Sequence, residues 1–142
     1  SSFHQPGRPV ERLFEDFRSV ESAYFAKTGI FPIMHVVGVR RSLVEANPWL
    51  PMSLLKAFTR AKDLALAELG EVAALKISLP WAPAEQEQTV AAMGEDFWSY
   101  GVGPNEQVLD TFLRYHHAQG LSKRRVTVDE MFAAGTREKF VI

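Results

Sequence analysis

Ile30-Phe31-Pro32-Ile33-Met34-His35-Val36-Val37-Gly38-Val39 is the stretch whose reading sets the fold class. It is almost continuous in apolar and β-branched residues, the pattern of a strand buried on both faces, as in parallel α/β sheets. Pro32 suits such a strand only near its start. A strand of this kind needs a hydrogen-bonded neighbour along each edge, because buried amides and carbonyls are not left unpaired. The flanking sequence offers about six helices and one or two weak strands. The expected fold is therefore a helix-rich α/β piece with one strong buried strand, about residues 30–40. Its sheet is completed by strands from elsewhere, either the rest of a parent chain or a second copy.

Moving outward, residues 1–18 carry Pro6, Gly7 and Pro9 and read as an extended hinge or entry segment. Residues 19–142 form the helix-rich part. A short helix is expected from about Ser19 to Lys27, closed by Gly29. Ser42 and Glu45 are spaced as a capping box for a helix to Ala46. The longest helix opens at Pro51 or Met52, aligns Leu54, Phe58, Ala61, Ala65 and Leu69 on one apolar stripe, and ends at Gly70. A short helix is expected near Glu71–Ser78 and another from about Pro83 to Met93. Gly94 to Gly103 is an aromatic loop. Pro104 opens a helix whose Val108, Leu109, Phe112, Leu113 and His116 share a side down to Gly120. Thr127 and Glu130 form a second capping box.

Composition narrows the function classes. With 46% apolar and 23% charged residues over 142 positions, the chain is of ordinary globular type. Lys and Arg number 16 against 17 Asp and Glu. That balance gives no basic footprint for nucleic acid and no polybasic block for anionic lipid. The absence of cysteine excludes disulfides, thiolate metal sites and cysteine nucleophiles. No apolar run approaches the roughly 20 residues of a membrane span. The N-terminus carries neither an initiator Met nor a signal peptide, so the chain is expected to be a processed or truncated piece of something longer.

Three stretches in order carry a resemblance that covers nearly the whole chain. The first is Tyr24-Phe25-Ala26-Lys27-Thr28-Gly29-Ile30-Phe31-Pro32-Ile33-Met34-His35, with Arg40-Arg41 and Asn47-Pro48-Trp49 after it. The second is Leu79-Pro80-Trp81. The third is Asp96-Phe97-Trp98-Ser99-Tyr100-Gly101-Val102-Gly103-Pro104-Asn105, followed by Phe112-Leu113-Arg114-Tyr115-His116 and Gly120-Leu121. Together they resemble the C-terminal portion of the 4,5-dihydroxyphthalate decarboxylase family. The resemblance implies a two-lobed α/β protein on the type-2 periplasmic-binding-protein scaffold, with a ligand cleft between the lobes. On that scaffold the strand after Gly29 joins a sheet begun by the N-terminal half.

Against that background His35 is the candidate catalytic residue. In a strand it shares a face with Ile33 and Val37, and a histidine facing a cleft donates a proton or hydrogen-bonds a carboxylate. The competing reading is a buried histidine satisfied by backbone. Arg12, Arg40 and Arg41 are candidate carboxylate clamps, since guanidinium binds carboxylates bidentately; alternation allows only one of Arg40 and Arg41 inward. The bland reading makes each a surface arginine. Trp81, Trp98 and Tyr100 suit stacking on an aromatic ligand, or else, with Phe97, plug the space beneath helices. Asp96 pairs with a clamp arginine or caps its loop. His116 and His117 point about 100° apart on a helix and do not share a metal ion. Lys123-Arg124-Arg125 reads as a solvated loop.

The leading functional expectation, implied by the resemblance, is a lyase acting on a hydroxylated aromatic dicarboxylate, of the 4,5-dihydroxyphthalate to protocatechuate type. It needs no cofactor and no metal, because the phenol itself supplies the electron push. The alternative is a solute-binding protein of the sulfonate, nitrate or thiamine-precursor type, and a third reading is a non-catalytic remnant. The lyase reading places the protein in the cytoplasm and the alternative in the periplasm. The expected partners are a small aromatic carboxylate and either the missing N-terminal half or further copies of the chain, paired through the 30–39 strand. The 142 residues alone are expected to be inactive, since a site between two lobes loses half of its groups.

Overall fold

Every regular element of the described residues is a helix. The computed structural model describes Gly7 and residues 10–137. In chain order the elements are α1 (Phe17–Thr28), α2 (Arg41–Ala46), α3 (Leu50–Leu69), α4 (Ala82–Met93), α5 (Glu106–Ala118) and α6 (Val128–Met131). Single 3-10 turns lie at Gly103–Asn105 and Ala134–Thr136. The backbone divides into two units, Ser1–Phe31 and Pro32–Ile142. Of the expected hinge at 1–18, residues 1–6, 8 and 9 lie outside the described residues; in the rest the Arg12 guanidinium lies over the Phe17 ring, 4.3 Å from its centre.

Within the first unit, α1 is closed at both ends by local chemistry. The Asp16 carboxylate accepts the Ser19 amide at 3.1 Å and the Ser19 hydroxyl at 2.5 Å. Those hydrogen bonds hold its carboxyl below the ordinary aspartate value. At the other end Gly29 takes φ 66°, and its N–H returns to the Phe25 carbonyl at 2.7 Å. A side chain there would carry the left-handed penalty that glycine escapes. The expected helix and its glycine stop are both present, with the start two residues earlier.

The α/β expectation is overturned. Residues 30–40 form no strand, and Met34, Val36 and Val37 are 60%, 62% and 65% exposed. A strand exists only through hydrogen bonds to a neighbour, and no second strand stands among the described residues. The apolar run therefore stays open and irregular instead of two-faced and buried. Self-pairing through a preformed strand loses its template for the same reason.

Two smaller corrections concern the flanks of α3. The Ser42–Glu45 capping box does not form; α2 starts at Arg41 with Arg40 as an N-cap that makes no side-chain bond, which places Ser42 inside the first turn. The short helix expected near 71–78 is a series of bends, in which the Glu71 carboxylate takes the Ala73 N–H at 2.8 Å. Gly70 does end α3, but at φ −81°. Its missing Cβ makes room instead for Gln86, whose oxygen would stand 3.2 Å from an added carbon. Gln86 donates to the Leu66 carbonyl at 3.3 Å and ties α4 to α3.

The sheltered face of α3 also differs from the expected stripe. Leu50, Pro51, Met52, Leu54, Leu55, Thr59, Lys62, Leu66 and Leu69 are the partly covered positions; Leu54 and Leu69 of the expected stripe are among them, whereas its Phe58, Ala61 and Ala65 are exposed. Over the middle of the helix the covered line is thus offset by about one residue, roughly 100°, from Phe58, Ala61 and Ala65, and it includes a lysine.

The core proper sits on α5. Val102, Leu109 and Leu113 are the buried apolar residues among those described. Of the expected stripe, Phe112 is exposed and stacks at 5.6 Å on half-buried His116. Gly120, at φ 74°, closes α5 with the paired bonds of a Schellman motif, Gly120 N–H to His117 and Leu121 N–H to His116, both 3.0 Å. Beyond it the Thr127–Glu130 capping box is complete in both directions. Arg124 and Arg125, expected as merely solvated, are exposed but paired, to Glu130 at 2.8 Å and to Asp110 at 2.6 Å. Arg137 pairs with Asp129.

Two measurements test this account. Leu113→Ala truncates one of the three buried apolar side chains, and a urea titration should show a loss of about 2–4 kcal/mol. Phe58→Ala, on the open face of α3, should stay within about 0.5 kcal/mol. Separately, Arg124 and the Thr127 amide hold the Glu130 carboxyl down at about 2 against an ordinary 4.5. Because the folded value is the lower one, its stabilisation is complete above 4.5 and disappears as pH falls through 2. Carbon-detected NMR of Glu130 should give that low midpoint, and Arg124→Gln should return it toward the ordinary glutamate value.

Candidate functional site

The aromatic loop between α4 and α5 is a fixed structure, built largely from backbone freedom and one amide side chain. Gly94 and Gly101 adopt φ 89° and 94°, conformations that leave the loop free to turn where a side chain would clash with its own backbone. Asn105 then staples the turn from within. Its Nδ2 donates to the carbonyls of Ser99 at 3.0 Å and Gly101 at 2.8 Å. The Ser99 hydroxyl adds a 3.4 Å bond to Asn105 Oδ1. Alternation along the loop turns Phe97 and Ser99 toward cover and leaves Trp98 and Tyr100 each 40% exposed.

From α3, Lys62 reaches the same loop. Its ammonium lies 2.7 Å from the Asp96 carboxylate, 3.6 Å from Asp63, and 5.4 Å from the centre of the Tyr100 ring. The lysine side chain is only 9% exposed. Asp96 thus neither caps its loop nor meets an arginine; its partner is a lysine 34 residues earlier. Helix and loop bound a shallow open cleft of about 410 Å³ lined by Thr59, Lys62, Asp63, Leu66, Glu95 and Asp96. Thr59 Oγ1 is buried there without a hydrogen-bond partner. With three carboxylates against one ammonium, this cleft repels a dianion. Trp98 and Tyr100 are not among the residues that line this cleft.

The other residues singled out in the sequence occupy separate segments. His35 is exposed in the irregular run before α2, and Arg40 is exposed as the N-cap of that helix. Trp81, 76% exposed, is the N-cap of α4. Arg12 belongs to the first unit and Arg41 is the first residue of α2. The loop unites Trp98 and Tyr100. Three residues that shape it escaped the sequence reading: Lys62, Asp63 and Asn105. Asn105 had a usable signal, since an asparagine just after Gly-Pro at a helix start favours side-chain to backbone bonding. Lys62 had none, because a lysine on a helix reads as solvated by default. Among the described residues no group of three or more His, Asp or Glu is placed to hold a metal ion, and no helix is long and apolar enough to cross a membrane.

No family model matches the chain. Over all of its 142 residues it is 41% identical to 4,5-dihydroxyphthalate decarboxylase from Comamonas testosteroni, and it spans 43% of that protein's length. The resemblance carried by the three stretches is thus met by a match that covers the whole chain.

The staple is directly testable. Asn105→Ala leaves two carbonyls short of a donor, and chemical denaturation should show a loss of about 1–2 kcal/mol. Asn105→Asp, which keeps an acceptor but removes the amide donors, should cost a similar amount, whereas loss of the amide oxygen alone removes only the long Ser99 bond.

Proposed function

We propose that the protein carrying this chain is a carboxy-lyase that removes one carboxylate from a hydroxylated aromatic dicarboxylate, with 4,5-dihydroxyphthalate as the model substrate and protocatechuate as product. The observation that carries this reading is the 41% identity over the full 142 residues to a protein named for that reaction. The chain covers less than half of that relative, so the activity belongs to a protein of the relative's length. The transport alternative gains nothing from the comparison.

The chemistry asks little of the protein beyond placement and proton supply. A ring hydroxyl para or ortho to the carboxylate-bearing carbon pushes electron density onto that carbon. A general acid delivers a proton there, and the carbon–carbon bond to the carboxylate then breaks. Its electron pair restores the aromatic ring, and carbon dioxide leaves. The balance is one proton and one dicarboxylate in, one monoacid and one carbon dioxide out. No external electron sink enters.

In this reading His35 is the proton donor; its exposed imidazole in an open segment is free to meet a ligand. Arg40 and Arg12 are the guanidiniums assigned to carboxylate, each on its own unit. Trp98 and Tyr100, with their rings outward on a rigid loop, supply stacking surface, and Trp81 adds exposed indole at the start of α4.

Proton NMR of 4,5-dihydroxyphthalate mixed with the protein at the relative's length tests the proposal. New aromatic signals of the monoacid are expected. His35→Gln should lower kcat by about 100-fold or more, the ordinary contribution of a positioned general acid, while KM changes little. Ligand lines that broaden with no product formed would replace the lyase with a binding protein.

A further inference from the structure

Lys62 occupies a position that physical chemistry disfavours. Its neighbours on the sheltered face of α3 are Leu55, Thr59, Leu66 and Leu69, and a leucine at 62 continues that face without cost. A shielded ammonium instead loses hydration and is tolerated only when paired. Here the pairing is generous: two carboxylates and the face of an aromatic ring. Asp63 is its chain neighbour and fixes nothing new. Asp96 and Tyr100 are both on the aromatic loop, on either side of Trp98. With the lysine shielded and Asp96 largely exposed, the pairing mainly offsets the desolvation of the ammonium and adds little net stability. Its effect is geometric, since it sets where the loop stands relative to α3.

We propose that Lys62 is a positioning residue for the ligand-stacking wall, acting through Asp96 and Tyr100 to hold the rings of Trp98 and Tyr100 at one setting. The proposal rests on the decarboxylase reading for its substrate, an aromatic dicarboxylate. Lys62 itself does not touch that ligand: it is enclosed by the loop and by carboxylates that would repel a dianion. Two features separate it from an ordinary structural lysine. It joins elements 34 residues apart, and its loop partners bracket the exposed indole. The Asn105 staple fixes the internal shape of the loop, and Lys62 fixes its placement.

The test uses the protein at the relative's length, labelled with 5-fluorotryptophan, with the Trp98 resonance assigned by Trp98→Phe. Lys62→Met keeps the aliphatic stem and removes the charge. It should shift or broaden the Trp98 fluorine signal, and Lys62→Arg should restore it. Asp96→Asn should reproduce the Met variant from the loop side, which guards against a folding defect specific to position 62. In turnover of 4,5-dihydroxyphthalate, Lys62→Met should raise KM about tenfold with kcat within about twofold, the mark of lost uniform binding. In a Trp98→Ala background the same substitution should have almost no further effect on KM, because residues acting through one another are non-additive.

An unchanged Trp98 signal in Lys62→Met overturns the proposal, as does a KM effect fully additive with Trp98→Ala or a loss confined to kcat. If the unmutated protein fails to turn the diacid over, the decarboxylase reading falls on its own. The fluorine spectra then still decide whether Lys62 sets the loop.

Discussion

Leu109 and Leu113 on one side of α5, with Val102 just before it, are the buried side chains among the described residues, and the segments that flank α5 are tied back to it. The turn at Gly103–Asn105 leads into α5, and the Asn105 side chain reaches back to fix the aromatic loop. At the far end the Gly120 motif reverses the chain, and Arg125 then returns to Asp110 on the same helix. Glu130 gathers Arg124 and the Thr127 amide into the cap of α6. Three buried side chains are a slender core for a chain that can bury more, and most of what orients the segments is polar.

That balance gives the aromatic loop its character. Loops that carry function are held by a scaffold while their tips stay open, and here the holding is divided between two kinds of bond. Short-range amide bonds from Asn105 define the turn. One long-range ion pair from Lys62 defines its placement against α3. Alternation leaves Trp98 and Tyr100 the more exposed residues of the loop, and the Tyr100 ring meets the Lys62 ammonium. The acidic cleft on the inner side is then a by-product of the carboxylates that shield the lysine, and its charge is wrong for an anionic ligand.

The same accounting explains the open surfaces elsewhere. Ile30 to Val39, and Phe58, Ala61 and Ala65 on α3, are apolar positions of the kind that a folded protein covers. The chain spans 43% of the length of the relative it matches, and apolar surface of this kind is what further chain in a longer protein can cover.

The sequence by itself determined the features whose causes are local. Gly29 after a short helix, Gly120 after a longer one and the Thr127–Glu130 box each act through bonds to residues a few positions away, and each stands where the pattern placed it. The identity of Trp98 and Tyr100 as members of one loop was equally legible, as was the likeness to a decarboxylase. Tertiary structure decided what depends on distant partners. The run at 30–39 has the composition of a strand, but a strand is a relation between two segments, and no second segment is supplied among the described residues. In the middle of α3 the covered line runs through Thr59, Lys62 and Leu66 rather than Phe58, Ala61 and Ala65, and the partner that Lys62 meets there is Asp96 on the aromatic loop. Spacing along one helix cannot reveal a carboxylate 34 residues away.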